Sequence, residues 1–305
     1  MSAEQIQRPS ELIIWLKAIR PGTLFAAVAP VVVGLAVAAQ THDVSVGIAA
    51  ATLLCSILIQ IGTNFANDYF DFKSGADNDD RLGPARATAK GWVTPAQMKA
   101  AYIGTFVLAF FFGLYLVTVG GWPILLIGVL SILFGVLYTG GPMPLGYVGL
   151  GDVFVFVFFG PVAVAGTVFL QTLNWELSAG IAGCVLGALA TAILVVNNLR
   201  DIDTDRAAGK MTLVARFGFR FGQIEYVLCW ATAIGSLFWL AQLFPERALG
   251  LFVAMGFTAV LAIVLTVRLW PKKGTELNPL LPQTAIGLLF VSIALSVALS
   301  THWIL

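Results

Sequence analysis

Charged residues are scarce in this 305-residue sequence: Asp, Glu, Lys and Arg make up 11% of it, against about 25% in a typical soluble protein. Hydrophobic residues make up 59%, and the mean hydropathy is +0.91. So little charge excludes a chain that is hydrated on all sides, and we expect most of it to face lipid or protein. The net charge is only +1, so we predict no nucleic-acid partner.

Cysteine and histidine are also few. Cys55, Cys184 and Cys229 all lie in apolar segments without a CxxC pair, so we interpret them as small buried apolar residues. The two histidines have no ligand-like neighbours in the sequence. Residues 1–21 carry several charges before the first apolar run, which predicts that this segment is not a cleavable signal peptide.

Long apolar runs are abundant. A transmembrane helix needs about 20 mostly apolar residues, and we predict nine such helices, at 22–40, 45–66, 97–119, 121–139, 152–171, 176–197, 222–243, 248–269 and 282–303. The third and fourth runs are the least clearly divided, because only Gly120, Gly121 and Pro123 separate them. The predicted fold class is therefore an all-α membrane protein with nine transmembrane helices.

Lys and Arg are unevenly distributed between the two sides of such a bundle. With nine helices, 16 of the 17 basic residues fall on the N-terminal side, and only Arg247 falls on the other. Because basic loops stay in the cytoplasm, we expect a cytoplasmic N-terminus and an external C-terminus in a bacterial cell membrane. We expect one domain, 1–305, with a cytoplasmic segment 1–21, a bundle 22–303 and active-site loops 67–96 and 198–221.

Two polar motifs follow apolar helices on the cytoplasmic side. The first contains Asn67, Asp68 and Asp71, and the second contains Asn197, Asn198, Asp201 and Asp205. Oxygen-bearing side chains recur every four residues in both, which places them on one face of a helix. Each motif ends the second helix of a four-helix set. This pattern predicts two four-helix halves plus a ninth helix around a central cavity.

Several carboxylates brought together in this way would repel one another unless a cation joined them. Carboxylate and amide oxygens favour Mg²⁺, Mn²⁺ or Ca²⁺ over zinc. Basic side chains beside the motifs suit a diphosphate; they are Lys73, Arg81, Arg86, Arg200, Arg206 and Lys210. Asp-rich loops can also be solvated turns, which is our interpretation of Asp79 and Asp80. Polar residues that continue an apolar helix are costly, however, and favour a functional role for the motif residues.

These motifs resemble those of the UbiA-type intramembrane aromatic prenyltransferases. Asn67-Asp68-x-x-Asp71 and Asp201-x-x-x-Asp205 match the family's two signatures. The commonest first signature has another Asp four residues on, where this chain has Gly75, and its next acid is Asp77. That variant, together with Tyr147-x-Gly-Leu-Gly-Asp152, resembles the menaquinone branch of the family.

The resemblance implies an enzyme that transfers a polyprenyl group from a polyprenyl diphosphate to 1,4-dihydroxy-2-naphthoate. CO₂ and diphosphate would leave, giving a demethylmenaquinol. It implies Mg²⁺ as cofactor, held by Asn67, Asp68, Asp71, Asp77, Asp201 and Asp205, of which Asp68 and Asp77 could instead support the ligands. Implied substrate contacts are Lys73, Arg81, Asn198 and Lys210, with Tyr138 and Asp152 as hypothetical ring contacts. The implied catalytic residues are Asp71, Asp201, Asp205 and Lys210.

The expected partners are the two substrates and the lipid bilayer, and no protein partner is predicted. Aromatic side chains near the first motif could stabilise a passing allyl cation or simply pack; they are Phe65, Tyr69, Phe70 and Phe72. Two other functions stay open. One is a related prenyltransferase with a phytyl donor or with a 4-hydroxybenzoate or tetrapyrrole acceptor. The other is a membrane transporter, which the clustering of acids at one side of the membrane disfavours.

Overall fold

The computed structural model describes residues 8–77 and 82–300, and every regular element within these ranges is helical. The helices are α1 Glu11–Ile19, α2 Pro21–Ala38, α3 Val46–Ser74, α4 Pro95–Leu137, α5 Gly151–Val157, α6 Ala163–Thr172, α7 Leu177–Arg200, α8 Ile202–Ala207, α9 Leu213–Phe217, α10 Phe219–Leu243, α11 Ala248–Leu269 and α12 Leu280–Ser300. A π-helical turn, Phe158–Val162, joins α5 to α6. Eight helical stretches of the described chain are long and apolar enough to cross a membrane.

Helix α4 is folded back on itself. Gly121 has φ 66° and ψ −154°, which breaks the helix in its middle. Tyr102, near its start, lies 5.7 Å from Tyr69 between ring centroids. Thr139, just past its end, donates a hydrogen bond of 2.9 Å to Asn67. A straight helix of this length would extend about 65 Å, so the two arms must run antiparallel. The break coincides with the predicted division between the third and fourth runs.

Helix α7 forms the centre of the bundle. Helices α2, α5, α10 and α12 pack around it, and its apolar side chains, such as Leu186 and Leu189, are fully buried. The π-helical turn approaches α7 closely, because a Cβ atom at Gly160 would lie 2.5 Å from the Gly183 carbonyl oxygen. Large apolar side chains on the outer helices are exposed instead, among them Phe111 on α4 and Val267 on α11. These outer faces are suited to lipid contact.

The two predicted active-site loops begin later than expected and contain more helix. Helix α3 continues through the whole first motif to Ser74 and ends at Gly75, whose φ of 78° is left-handed. Helix α7 likewise continues to Arg200. The predicted loop 198–221 contains the short helices α8 and α9. Helix therefore continues past residues 67 and 198, where the two loops were predicted to begin.

The segments that follow α3, α4 and α7 meet at one end of the bundle. The backbone amide of Met211 donates to the carbonyl of Tyr147 at 2.9 Å. The side-chain amide of Asn278 donates to the carbonyl of Leu82 at 3.1 Å. These contacts join the loops from both halves of the sequence into one layer, which carries both motifs.

Candidate active site

The first motif occupies the last two turns of α3, and neutral donors orient its side chains. The hydroxyl of Thr139 donates to Asn67 Oδ1 at 2.9 Å. The hydroxyl of Tyr147 donates to Asp71 Oδ1, also at 2.9 Å. Burial raises the pKa of Tyr147, and the Asp71 carboxylate raises it further, so this hydroxyl stays protonated and can donate.

Asp68 has a different environment from its neighbours in the motif. Its side chain is 1% exposed, and its two carboxylate oxygens accept hydrogen bonds from the backbone amides of Ala87 and Thr88, at 3.1 and 3.0 Å. Asp68 therefore anchors the segment after the first motif to α3. Of the two roles that the resemblance left open for Asp68, these contacts favour support of the metal ligands over metal binding itself.

The second motif supplies its own counter-charges. Arg200 is 1% exposed, and it donates to the two oxygens of Asp201 from Nε at 2.7 Å and from Nη2 at 2.5 Å. The same guanidinium also donates to Asn197 at 2.7 Å and to Asn278 at 3.2 Å. Gly83 passes directly beside it, since a Cβ atom there would lie 2.7 Å from Nη2.

Asp205 and Lys210 form the second ion pair of this motif. Lys210 Nζ lies 3.2 Å from Asp205 Oδ1, and Asp205 Oδ2 is buried without a hydrogen-bond partner in the described part of the chain. Burial raises the pKa of Asp205, although Lys210 opposes that rise. Burial lowers the pKa of Lys210, but the carboxylates of Asp205 and Asp71 outweigh burial and the pKa is raised, so the ammonium stays charged.

A polar cavity of about 220 Å³ brings the two motifs together. It is lined by Asp71, Gly75, Ala76, Asp77, Arg86, Asn197, Asp201, Thr204, Asp205, Ala207, Ala208 and Lys210. Five of the predicted site residues thus share one cavity: Asp71, Asp77, Asp201, Asp205 and Lys210.

Other predicted site residues lie outside this cavity. Lys73 is exposed at the end of α3. Asn198 is buried, and its neighbour Asn197 lines the cavity in its place. Arg81 lies outside the described residues. Arg86, which the sequence placed only among the nearby cations, lines the cavity and pairs with Asp77 at 3.4 Å between Nε and Oδ2.

An apolar chamber of about 210 Å³ lies within the helices. Its aromatic lining comes from Phe110, Phe134, Tyr138, Phe154, Phe158 and Phe159. The aromatic residues suggested from the sequence lie elsewhere. Tyr69 and Phe70 pack against Tyr102, and Phe65 packs against Trp15.

Tyr138 connects the chamber with the polar cavity. It lines the chamber, and its hydroxyl is close enough to the carboxylates of Asp152, Asp71 and Asp205 to interact with their charges. Asp152 lies in the first turn of α5 and is 4% exposed, and its Oδ1 is buried without a hydrogen-bond partner among the described residues. Its charge interacts with that of Lys210. The charges of residues that line the polar cavity thus act on both residues predicted to contact a ring.

The donor set suits a hard cation that is shared with a ligand. Within residues 8–77 and 82–300, no group of three or more His, Cys, Asp or Glu side chains is arranged to hold a metal ion alone. Mg²⁺ typically binds through one or two carboxylates, keeps some water and takes further oxygens from a substrate phosphate. The unpartnered oxygen of Asp205 and the facing Asp71 therefore fit a cation that arrives with a phosphate group.

Solved structures define the class of the fold. A UbiA homolog from Archaeoglobus fulgidus bound to DMAPP and Mg²⁺ has a TM-score of 0.66 to this chain, covering 93% of this chain and 99% of that one at 13% identity. The apo structure of a UbiA homolog from Aeropyrum pernix K1 has a TM-score of 0.69, covering 90% and 96% at 16% identity. The molecule has the fold of these UbiA homologs.

The chain belongs to the UbiA prenyltransferase family, whose profile matches residues 27–293. It is similar to the 1,4-dihydroxy-2-naphthoate octaprenyltransferase of Escherichia coli (strain K12), at 38% identity over 96% of both chains. The protein of the same name from Mycobacterium tuberculosis is 37% identical over 94% of this chain and 96% of that one. Family and helices together make this protein a multi-pass integral membrane prenyltransferase.

Proposed function

We propose that the protein transfers a polyprenyl group from a polyprenyl diphosphate to 1,4-dihydroxy-2-naphthoate, releasing CO₂ and diphosphate and giving a demethylmenaquinol. The names of its nearly full-length relatives support this acceptor. The observation that carries the proposal is a charged cavity and an apolar chamber in one bundle, with Tyr138 lining the chamber within electrostatic range of Asp71 and Asp205 in the cavity. Such a site accommodates a charged headgroup and an apolar chain at the same time.

Mg²⁺ is the proposed cofactor. Asp71, Asp201 and Asp205 are its proposed ligands, with Asn67 and Asp77 as further oxygen donors and Asp68 holding the adjoining segment. When bound, the cation would act as a Lewis acid that stabilises the charge developing on the departing diphosphate. The Mg²⁺ in a solved UbiA homolog supports its use in this fold.

The basic side chains of the cavity would hold the diphosphate oxygens. Lys210 keeps its charge next to Asp205, and Arg86 also lines the cavity. Both are placed before the allylic C–O bond breaks, and such preorganised charge lowers the barrier most. Lys73, which is exposed at the end of α3, and Arg81 are also proposed to contact the diphosphate.

The allylic carbon would ionise at the boundary between cavity and chamber. The aromatic walls formed by Phe134, Phe154 and Tyr138 keep water away from the cation, and their faces can stabilise it. The ring of the acceptor then forms the new C–C bond, and loss of CO₂ restores aromaticity. We assign Tyr138 and Asp152 to positioning the ring. Asn198 shares a face of α7 with Thr191, which contacts the Asp152 carbonyl at 3.4 Å, so Asn198 belongs to the acceptor side.

We further propose that the single domain 1–305 crosses the membrane nine times, with the N-terminus, the C-terminal end of α3 and the segment 198–221 in the cytoplasm. The folded-back α4 supplies two of these crossings, which adds one to the eight apolar stretches of the described chain. The distribution of Lys and Arg supports this orientation.

The direct test is turnover by purified protein. We expect it to convert 1,4-dihydroxy-2-naphthoate and a polyprenyl diphosphate to a demethylmenaquinol identified by mass spectrometry, with activity lost in EDTA and restored by Mg²⁺. Parallel assays with 4-hydroxybenzoate as the acceptor, or with a phytyl donor, distinguish the proposed activity from those of related prenyltransferases. If either compound crossed the membrane of proteoliposomes and no prenylated product formed, the enzymatic function would be rejected and a transporter favoured.

A further inference from the structure

One acidic residue within a membrane-spanning helix has no role in the proposed machinery. Glu225 lies in the second turn of α10, and its Oε2 is buried without a hydrogen-bond partner in the described chain. A carboxyl group at such a depth is costly to keep and is usually retained for function. Glu225 therefore needs a ligand or a partner that the folded chain does not itself supply.

Asp152 provides a second, independent sign of a missing ligand at the same place. It is 4% exposed, and its Oδ1 also has no partner within the described residues. The charges of Asp152 and Glu225 interact, and α5 and α10, which carry them, both pack on α7. Two buried acceptor oxygens that lack donors thus lie within electrostatic range of each other, on two helices that pack on α7.

The pair continues a polar path that begins in the active site. Lys210 lines the polar cavity and interacts with Asp152, and Asp152 interacts with Glu225. The order along this path is a cation at the cavity, then the carboxyl group of Asp152, then that of Glu225. A molecule matching it would carry an anionic group at one edge and a hydrogen-bond donor at another.

The proposed acceptor has this distribution of groups. In 1,4-dihydroxy-2-naphthoate, the 1-hydroxyl lies next to the carboxylate and can donate to it within the molecule. The 4-hydroxyl is separated from the carboxylate by a ring C–H and has no internal acceptor. It is therefore the group that needs an acceptor from the protein, while the carboxylate needs a cation.

We propose that Glu225, together with Asp152, accepts the hydrogen bond of the 4-hydroxyl and so selects a dihydroxylated ring, with the acceptor carboxylate directed towards Lys210. This assignment rests on the proposed function and adds a specificity residue to it. Glu225 is not among the described residues that line the polar cavity proposed for the diphosphate, so its contribution is confined to the aromatic substrate.

The test compares two ligands and two variants. Glu225→Gln keeps the shape and a neutral acceptor, whereas Glu225→Leu removes the acceptor and suits a lipid-facing helix. We expect the KM for 1,4-dihydroxy-2-naphthoate to be lowest for the wild type, higher for the Gln variant and highest for the Leu variant, by about tenfold, because Leu leaves the 4-hydroxyl without an acceptor. The inhibition constant of 1-hydroxy-2-naphthoate, which lacks the 4-hydroxyl, should change by less than about twofold. The KM for the polyprenyl diphosphate should stay constant.

Glu176→Gln is the matched control. Glu176 lies at the other end of the bundle, before α7, where it accepts a hydrogen bond from Ser178, and its replacement should alter neither constant. Equal weakening of both aromatic ligands by the Glu225 variants, or no weakening, would overturn the assignment while leaving the proposed function intact. Failure of the wild-type protein to prenylate the dihydroxynaphthoate would instead refute the proposed function and the assignment with it.

Discussion

The two motif-bearing helix ends look alike in sequence but are stabilised differently. At the end of α3, hydroxyl groups and backbone amides donate to the acids: Tyr147 to Asp71, and the amides of Ala87 and Thr88 to Asp68. At the end of α7, cations of the same motif pair with the acids: Arg200 with Asp201, and Lys210 with Asp205. The first end is held by its loops, whereas the second end carries charge of both signs.

This difference suggests a division of labour. An acid oriented by neutral donors keeps its negative charge available to a cation, so the first motif is suited to metal binding. An acid paired with Lys or Arg has part of its negative charge compensated. Because the second motif offers both carboxylates and cations, it is suited to placing metal and phosphate side by side. The predictions that follow test this division, starting with the largest expected effect.

Replacing Arg200 should destabilise the fold most. Arg200→Met leaves Asp201 buried without its bidentate partner, which typically costs about 3–5 kcal/mol. We expect a clear fall in the unfolding midpoint of the purified protein, followed by fluorescence or calorimetry in detergent. Arg200→Met combined with Asp201→Asn should recover part of the loss. A single variant as stable as the wild type would mean that this ion pair does not hold the second motif.

Asp71→Asn should remove activity without a comparable loss of stability. The amide keeps the hydrogen bond from Tyr147 but loses the charge offered to the metal, and we expect kcat to fall about 10²–10³-fold. Raising the Mg²⁺ concentration should restore part of the rate. Asp203→Asn is the control, because Asp203 is exposed on α8 and does not line the cavity. Unchanged Mg²⁺ dependence in the Asp71 variant would contradict the role of the first motif.

Lys210→Gln should affect the donor substrate more than the acceptor. It removes a charged hydrogen-bond donor from the cavity, and we expect the KM for polyprenyl diphosphate to rise about 10–100-fold. Lys99→Gln, at an exposed position of α4, is the control for loss of a positive charge. An equal rise in KM for both variants would indicate that Lys210 acts through the overall positive charge of the protein and does not contact the phosphate.

Asp68→Asn should act through the attached segment. An amide offers one acceptor oxygen for the two backbone amides that Asp68 now binds, so one hydrogen bond is lost, at a cost of about 1–3 kcal/mol for the buried donor. We expect faster hydrogen exchange at Ala87 and Thr88, with the Mg²⁺ concentration needed for half-maximal rate nearly unchanged. A large shift in that concentration would instead assign Asp68 to the metal.

Tyr147→Phe should have the smallest effect. It removes one neutral hydrogen bond to Asp71, worth about 1 kcal/mol, so we expect kcat/KM to fall about fivefold. The effect of Tyr147→Phe on kcat/KM should be smaller in an Asp71→Asn background, because the two residues act together. Fully additive effects would show that Tyr147 does not orient this carboxylate.

The sequence alone predicts the helices and the meeting of the two motifs well, because both depend on local patterns. Apolar runs mark the helices, and the Gly121 break falls where the apolar pattern is interrupted. The four-residue spacing anticipates that Asp71, Asp201 and Asp205 share a cavity. Helix ends are less predictable, as α3 shows by continuing through its motif to Gly75.

The partners of the acids are not predictable in this way. Tyr147, Thr139 and the amide of Ala87 come from loops whose paths depend on tertiary contacts, and no periodicity marks them. The aromatic lining of the chamber is not predictable either, because Phe134 and Phe154 lie far from the motifs in sequence and come together only when the second arm of α4 packs against α5. Among these partners, only Arg200 is adjacent in sequence to the acid it binds, Asp201. Adjacency of an Arg and an Asp in the sequence does not by itself predict a bidentate contact.

The close approach of Gly83 to Arg200 has a consequence for natural variation. Even an alanine at position 83 would press a methyl group against the Arg200 guanidinium. Which residues can replace Gly83 is therefore decided by a buried side chain from the second half of the sequence. Homologous enzymes with a larger residue there should carry a shorter side chain or a shifted backbone at the arginine. Substitutions at these two sites are then expected to occur together across evolution.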